Sequence, residues 1–230
     1  MCGRYTITNP ENIYAEYGVM DDSLVVPRFN VSPNQDVPVI MAGLASRKFE
    51  NLKWGLLPRW AKDTHQIIIN ARDDGVATKH TFRDSFRKRR CLVLADGYYE
   101  WKRDGSERRP FYFRLKEGRL FGFAGIFAEY RYSEGTVVRG CAIITTMPND
   151  LAAEVHNRMP VVLLKEDEAR WLETPENKAV SLTDLLAPYP ADRMELWEVG
   201  KKVSTPAINN PQLVVRLDRA ALSGSEIDSA

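Results

Sequence analysis

The sequence predicts a single α+β domain built on a curled, mostly antiparallel, barrel-like β-sheet flanked by short helices. Three observations lead there. Between Cys91 and Thr146, strand-like runs rich in aromatic and β-branched residues follow one another with turn residues between them. Helical patterns are few and short. Strands and helices also do not alternate as they would in a βαβ protein, which argues against a doubly wound parallel sheet. At 230 residues, 44% hydrophobic and 27% charged, the chain is long enough for one substantial core without staples.

The elements follow in order. After "MCGRYT", Asn9-Pro10-Glu11 reads as a helix start, with Asn9 as cap, Pro10 at the first position and a stop at Gly18. "DVPVIMAG" and "FENLKWGLLP" read as strands. "INARDDG" leads into a helix from about Val76 to Arg89. "CLVLADGYYEWKR", a turn at Asp104-Gly105, "RPFYFRL", "LFGFAGIFAEY" and "VVRGCAIITT" read as successive strands. Pro148 to Val155 suggests a short helix, "MPVVLL" a strand, and "KEDEARWLE" and "SLTDLLA" helices. One domain is expected over 1–218, with a disordered tail over 219–230.

Composition narrows the function classes. No apolar run approaches the roughly 20 residues that cross a bilayer, and no secretory signal is recognisable, so a cytoplasmic location is expected. Cys2, Cys91 and Cys141 suggest neither a disulfide framework nor a zinc motif. With His65, His80 and His156 at unrelated spacings, no metal or other cofactor is expected. Residues 81–120 hold twelve Lys/Arg against six Asp/Glu, whereas residues 161–200 hold four against nine. That asymmetry suits one basic face for a polyanion, and equally a solvated face.

Cys2 precedes a glycine and lies where removal of Met1 would expose it. The new terminus would carry an amine and a thiol on adjacent carbons. An α-amine has a pKa near 8 against about 10.4 for lysine, so it supplies roughly a hundredfold more free base at neutral pH. Such an amine forms an imine with an aldehyde, and the thiol closes a thiazolidine ring. Two other readings compete. Cys2 can be a small core residue, or the nucleophile of an N-terminal-nucleophile amidotransferase, a class that also begins Met-Cys-Gly.

Further segments join polar residues to apolar strands: "IIINAR" with Asn70 and Arg72, "VLADGYYEW" with Glu100, "EVHNRMPVVL" with His156 and Arg158, then "RFNVSPNQ" and "LKWGLLPRW". With "MCGRYT", and in this order, they resemble the SOS-response-associated peptidase (SRAP) family, closely over about residues 1–165 and loosely beyond. No "NGE"-type segment of the amidotransferases is present.

The resemblance implies a sensor and shield of abasic sites in single-stranded DNA, including single-strand/double-strand junctions. It would associate with the bacterial nucleoid when bound to DNA, and a monomer is the simpler expectation for a sensor of one strand. Cys2 would crosslink to the ring-opened sugar and Asn70 would position terminus and sugar. Glu100 would act as general acid–base and assist self-removal of Met1, and His156 would handle protons on the sugar hydroxyl. Autopeptidase and lyase-type activity are implied with these roles. An abasic sugar is mostly a closed hemiacetal, so acid–base groups are needed to open it.

For holding the strand, Arg4, Arg72 and Arg158 are the phosphate candidates, with structural ion pairs as the alternative. Pro58 and Trp60 resemble the family's wedge, which packs on bases beside the lesion. Stacking on an aromatic tolerates any base. Thr145 and Asn149, in "TTMPND", are further backbone-contact candidates, and Trp54 and Trp101 are assigned to the core. "RDSFRKRR" reads as a partly solvated helix face. "VGKKVSTPAINNPQLV" matches the family's closing motif around Val203 and Asn209 more weakly. Two alternatives stay open: a cysteine peptidase or amidase acting in trans, and a non-covalent reader of modified DNA bases.

Overall fold

The computed structural model describes residues 2–18, 26–43, 47–58, 66–131, 135 and 137–218. The expected tail at 219–230 lies outside them. In chain order the strands are β1 (Arg4–Ile7), β2 (Arg28–Val31), β3 (Asp36–Ala42), β4 (Arg47–Trp54), β5 (Asn70–Arg72) and β6 (Arg90–Ala95). They continue as β7 (Gly97–Asp104), β8 (Glu107–Leu115), β9 (Phe121–Arg131), β10 (Val137–Thr146), β11 (Met159–Pro160) and β12 (Met194–Glu198). The α-helices are short: α1 (Asn12–Tyr17), α2 (Asp73–Val76), α3 (Arg83–Lys88), α4 (Asp150–Ala153) and α5 (Glu168–Glu173).

The single-domain, barrel-like α+β architecture expected from the sequence is what the chain adopts. β4, β3, β6 and β9 pair antiparallel in that order; β10 then pairs with both β9 and β4, closing a ring. The β4–β10 contact is parallel, as is the pairing of β5 onto the other end of β10. A second, antiparallel sheet runs β12-β8-β7-β1-β2. Closure removes the exposed edges that a five-stranded sheet would otherwise present. Trp54, Phe123, Tyr5, Tyr98 and Phe113 fill the space where the sheets meet, and Tyr98 stacks on Phe113 with ring centres 4.8 Å apart.

Several boundaries differ from expectation. Helix α1 starts at Asn12: Pro10 lies in a turn, and the Asn9 side-chain amide donates to the Thr8 hydroxyl (2.9 Å) with no side-chain cap bond at the helix. Gly18 does end it, in the left-handed conformation at φ 66°. Of the helix expected over 76–89, only α3 (Arg83–Lys88) forms; residues 77–82 are a turn region, and the short α2 precedes them. "MPVVLL" pairs as a strand only at Met159–Pro160 and by a bridge at Val162. Strands β1, β2 and β12 carried no recognised strand signal.

Two polar anchors set the N-terminal segment. Asp96 accepts from the hydroxyls of Thr6 (2.6 Å) and Thr8 (2.7 Å), pinning the end of β1. In "RFNVSP", Asn30 donates to the carbonyls of Val203 (3.2 Å), Thr205 (3.0 Å) and Ile208 (2.9 Å), while Asn209 accepts from the Phe29 N–H (2.7 Å). The closing motif is thereby tied to β2, beside β1.

Candidate active site

Strand pairing builds the site. β1 lies antiparallel to β7 with Arg4 opposite Tyr99, which carries Cys2 and Gly3 toward the Glu100 end of β7. β5 runs parallel to β10 with Asn70 opposite Ile143. From β5 the Asn70 amide donates to the Cys2 carbonyl at 2.9 Å. Its own carbonyl oxygen is buried with no hydrogen-bond partner among the described residues.

Gly3, Arg4, Glu100 and His156 line one open cavity of about 410 Å³, together with Trp101, Arg103, Arg108 and Ser204. Glu100 is only 3% exposed, and burial pushes its carboxyl up to about 7 while the chain's amino terminus pulls it down. His156 is half-buried; burial and then the positive amino terminus lower its pKa, so it is neutral near pH 7. Its Nδ1 accepts the Arg158 backbone N–H at 3.1 Å, which leaves the proton of the neutral ring on Nε2. Cys2 is fully buried, and burial followed by the charge of Glu100 pushes its thiol well above the ordinary value.

A model of the SOS response associated peptidase (SRAP) family matches residues 1–206. The chain belongs to this family. It is 37% identical over 221 residues to the abasic site processing protein YoqW of Bacillus subtilis, covering 93% of this chain and 99% of that one. It is 26% identical to the abasic site processing protein HMCES of Rattus norvegicus, over 86% of this chain and 67% of that protein. A crystal structure of a Bacteroides thetaiotaomicron protein superposes with a TM-score of 0.84 at 26% identity, covering 94% of this chain and all of that one. The SRAP match thus runs past residue 165, where the motif resemblance loosens, into the segment held by Asn30.

Of the residues singled out in the sequence, Cys2, Asn70, Glu100, His156 and Arg4 come together. The other positions divide. Arg72 is exposed beside Asp74, at 2.6 Å. Arg158 is buried, its guanidinium on Asp73 (2.7 Å) and on the hydroxyl of Thr145 (3.2 Å). Thr145 is fully buried, and Asn149 caps α4 by accepting from Ala152 N–H (2.8 Å) while donating to the Tyr189 carbonyl (2.6 Å). Thr145 and Asn149 thus spend these polar atoms inside the fold, whereas the Arg158 Nε is buried with no hydrogen-bond partner among the described residues. Pro58 is buried and lines a separate cavity of about 360 Å³ with Leu56, His80 and Asp84. Trp60 lies outside the described residues.

Trp54 is in the core as expected, but Trp101 is not. It is half-buried in the cavity wall, its indole N–H donating to the Ser204 hydroxyl at 3.2 Å. Arg103, Arg108 and Ser204 were missed. A signal for the two arginines existed: the Asp104-Gly105 turn sets a hairpin register that places Arg103 opposite Arg108.

Proposed function

We propose that, once Met1 is removed, this SRAP protein captures abasic sites in single-stranded DNA through a thiazolidine link to Cys2. The observation that carries this reading is a single cavity where the N-terminal segment, Glu100 and His156 meet while Asn70 holds the Cys2 carbonyl. The relatives named as abasic site processing proteins support it.

The buried thiol is protonated at neutral pH, so the free amine is the opening nucleophile. It adds to the C1 aldehyde to give a carbinolamine, which loses water to form an imine. The Cys2 sulfur then adds to the imine carbon, its proton passing to nitrogen, and one water has been released overall. Glu100, poised near neutrality, donates the proton that carries away the carbinolamine oxygen. Neutral His156 is suited to move the proton of the sugar hydroxyl and keep the ring open. Self-removal of Met1 would use the same carboxylate as base.

Incubation with single-stranded DNA bearing an abasic site should yield a heat-resistant, protease-sensitive adduct. Cys2→Ser keeps the amine, so its adduct should survive only after borohydride reduction. An undiminished, unreduced adduct from Cys2→Ala would sink the reading. Intact mass of Glu100→Gln, made with methionine aminopeptidase inhibited, should show Met1 retained.

A further inference from the structure

Strands β7 and β8 form a hairpin whose register sets Arg103 directly opposite Arg108. Residues so paired share a face with their Cβ atoms about 5 Å apart, and like charges there are destabilising. The hairpin's own acids do not relieve this. Asp104 faces Arg109 at 3.8 Å, and Glu107 holds Lys201 at 3.4 Å. Among the described residues neither Arg103 nor Arg108 has an ion pair, nor does Arg4, whose Nε is buried without a hydrogen-bond partner. All three arginines line the cavity that also holds Glu100.

We propose that Arg103 and Arg108, with Arg4, clasp a phosphodiester of the bound strand beside the captured sugar. The proposal rests on the single-stranded DNA reading. A guanidinium fork matches phosphate oxygens in pairs, and an external anion relieves the repulsion the fold leaves standing. Arg103 is three residues from Glu100, about 10 Å along an extended strand, so the anion sits next to the sugar rather than at its reacting carbon. The Trp101 ring in the same wall offers a flat surface for a base, a pairing of cation and aromatic that fits a nucleic acid strand better than a free anion.

The test uses the Cys2→Ala protein, which cannot form the thiazolidine, and measures its affinity for abasic single-stranded DNA across a salt series. Adding Arg103→Gln with Arg108→Gln should reduce the log–log salt slope by about 0.7 for each phosphate no longer neutralised. Lys178→Gln, outside the cavity wall, should leave it unchanged. In the parent with Cys2 intact, the double variant should crosslink more slowly at limiting DNA yet reach the same final yield. Its Tm should hold or rise, since a like-charge pair is removed; a fall in Tm would make the arginines structural and overturn the proposal. An unmoved salt slope would overturn it as well. Absence of any adduct from the intact protein, with the slope still sensitive to the arginines, would fault the capture chemistry and leave the clasp standing.

Discussion

Glu100 carries a conflict between stability and chemistry. Burial raises its carboxyl from the usual 4.5 to about 7. Between those values the folded chain keeps a proton that the unfolded chain has released, so stability falls as pH rises through this window and levels off above it. A shift of that size corresponds to about 3 kcal/mol at pH 8. Glu100→Gln mimics the protonated form at every pH. It should therefore be more stable than the parent by up to about 3 kcal/mol at pH 8, with the gap closing toward pH 5. Urea unfolding at the two pH values reads this directly, and equal stability at pH 8 would remove the argument. With Met1 removed by methionine aminopeptidase, the same variant should crosslink about a hundredfold more slowly, because the proton donor for water loss is gone. Cys2 fits the same logic from the other side: burial suppresses its thiolate, so reactivity waits on the amine.

The elements carrying Asn70 and His156 are fastened by one buried ion pair. Asp73 opens α2 immediately after β5, and Arg158 sits two residues past His156; their side chains are 21% and 8% exposed and meet at 2.7 Å. Burial alone would raise the Asp73 carboxyl, but hydrogen bonds from Arg158 and Thr146 hold it below its ordinary value. Removing either partner strands a charge, at a cost of about 3 kcal/mol. Arg158→Ala and Asp73→Asn should thus lower the urea midpoint alike and slow crosslinking alike, since both release the loop that aims His156. If Arg158 served chiefly as a phosphate contact, Asp73→Asn would leave crosslinking intact. This is also where legibility ended. Long strands such as β9 and β10 were readable because runs rich in aromatic and β-branched residues persist over many positions. Four-residue β1 and β2 were not, since their pairing is set by partners distant in sequence. Asn70, Glu100 and His156 were named through the order of motifs that together resemble the SRAP family. Whether Thr145 or Arg158 faces a ligand or the interior is decided by burial, and residue type does not reveal that.

At the scale of the whole molecule, β10 is the hub on which site and fold depend together. It pairs with β9 and β4 to close the barrel, carries β5 with Asn70, and bonds β11 just beyond His156. Closure requires two glycines to pass each other. Gly140 lies opposite Lys53 at the start of the parallel contact, and the Gly55 N–H donates to the Cys141 carbonyl at 2.9 Å. A Cβ on Gly140 would stand 2.1 Å from the Gly55 carbonyl oxygen, so backbone must move. Gly55 itself has φ 155°, with Ile67 packed against it, which leaves little room to yield. Gly140→Ala should therefore cost about 3 kcal/mol, the upper end of overpacking in a well-filled core. Because the strain falls on the seam that also seats β5, crosslinking should drop along with the urea midpoint, whereas Arg103→Gln with Arg108→Gln should slow crosslinking at limiting DNA without lowering stability. A Gly140→Ala protein with the parent's midpoint would mean the seam is plastic, and that Asn70 is held by local contacts rather than by closure of the barrel.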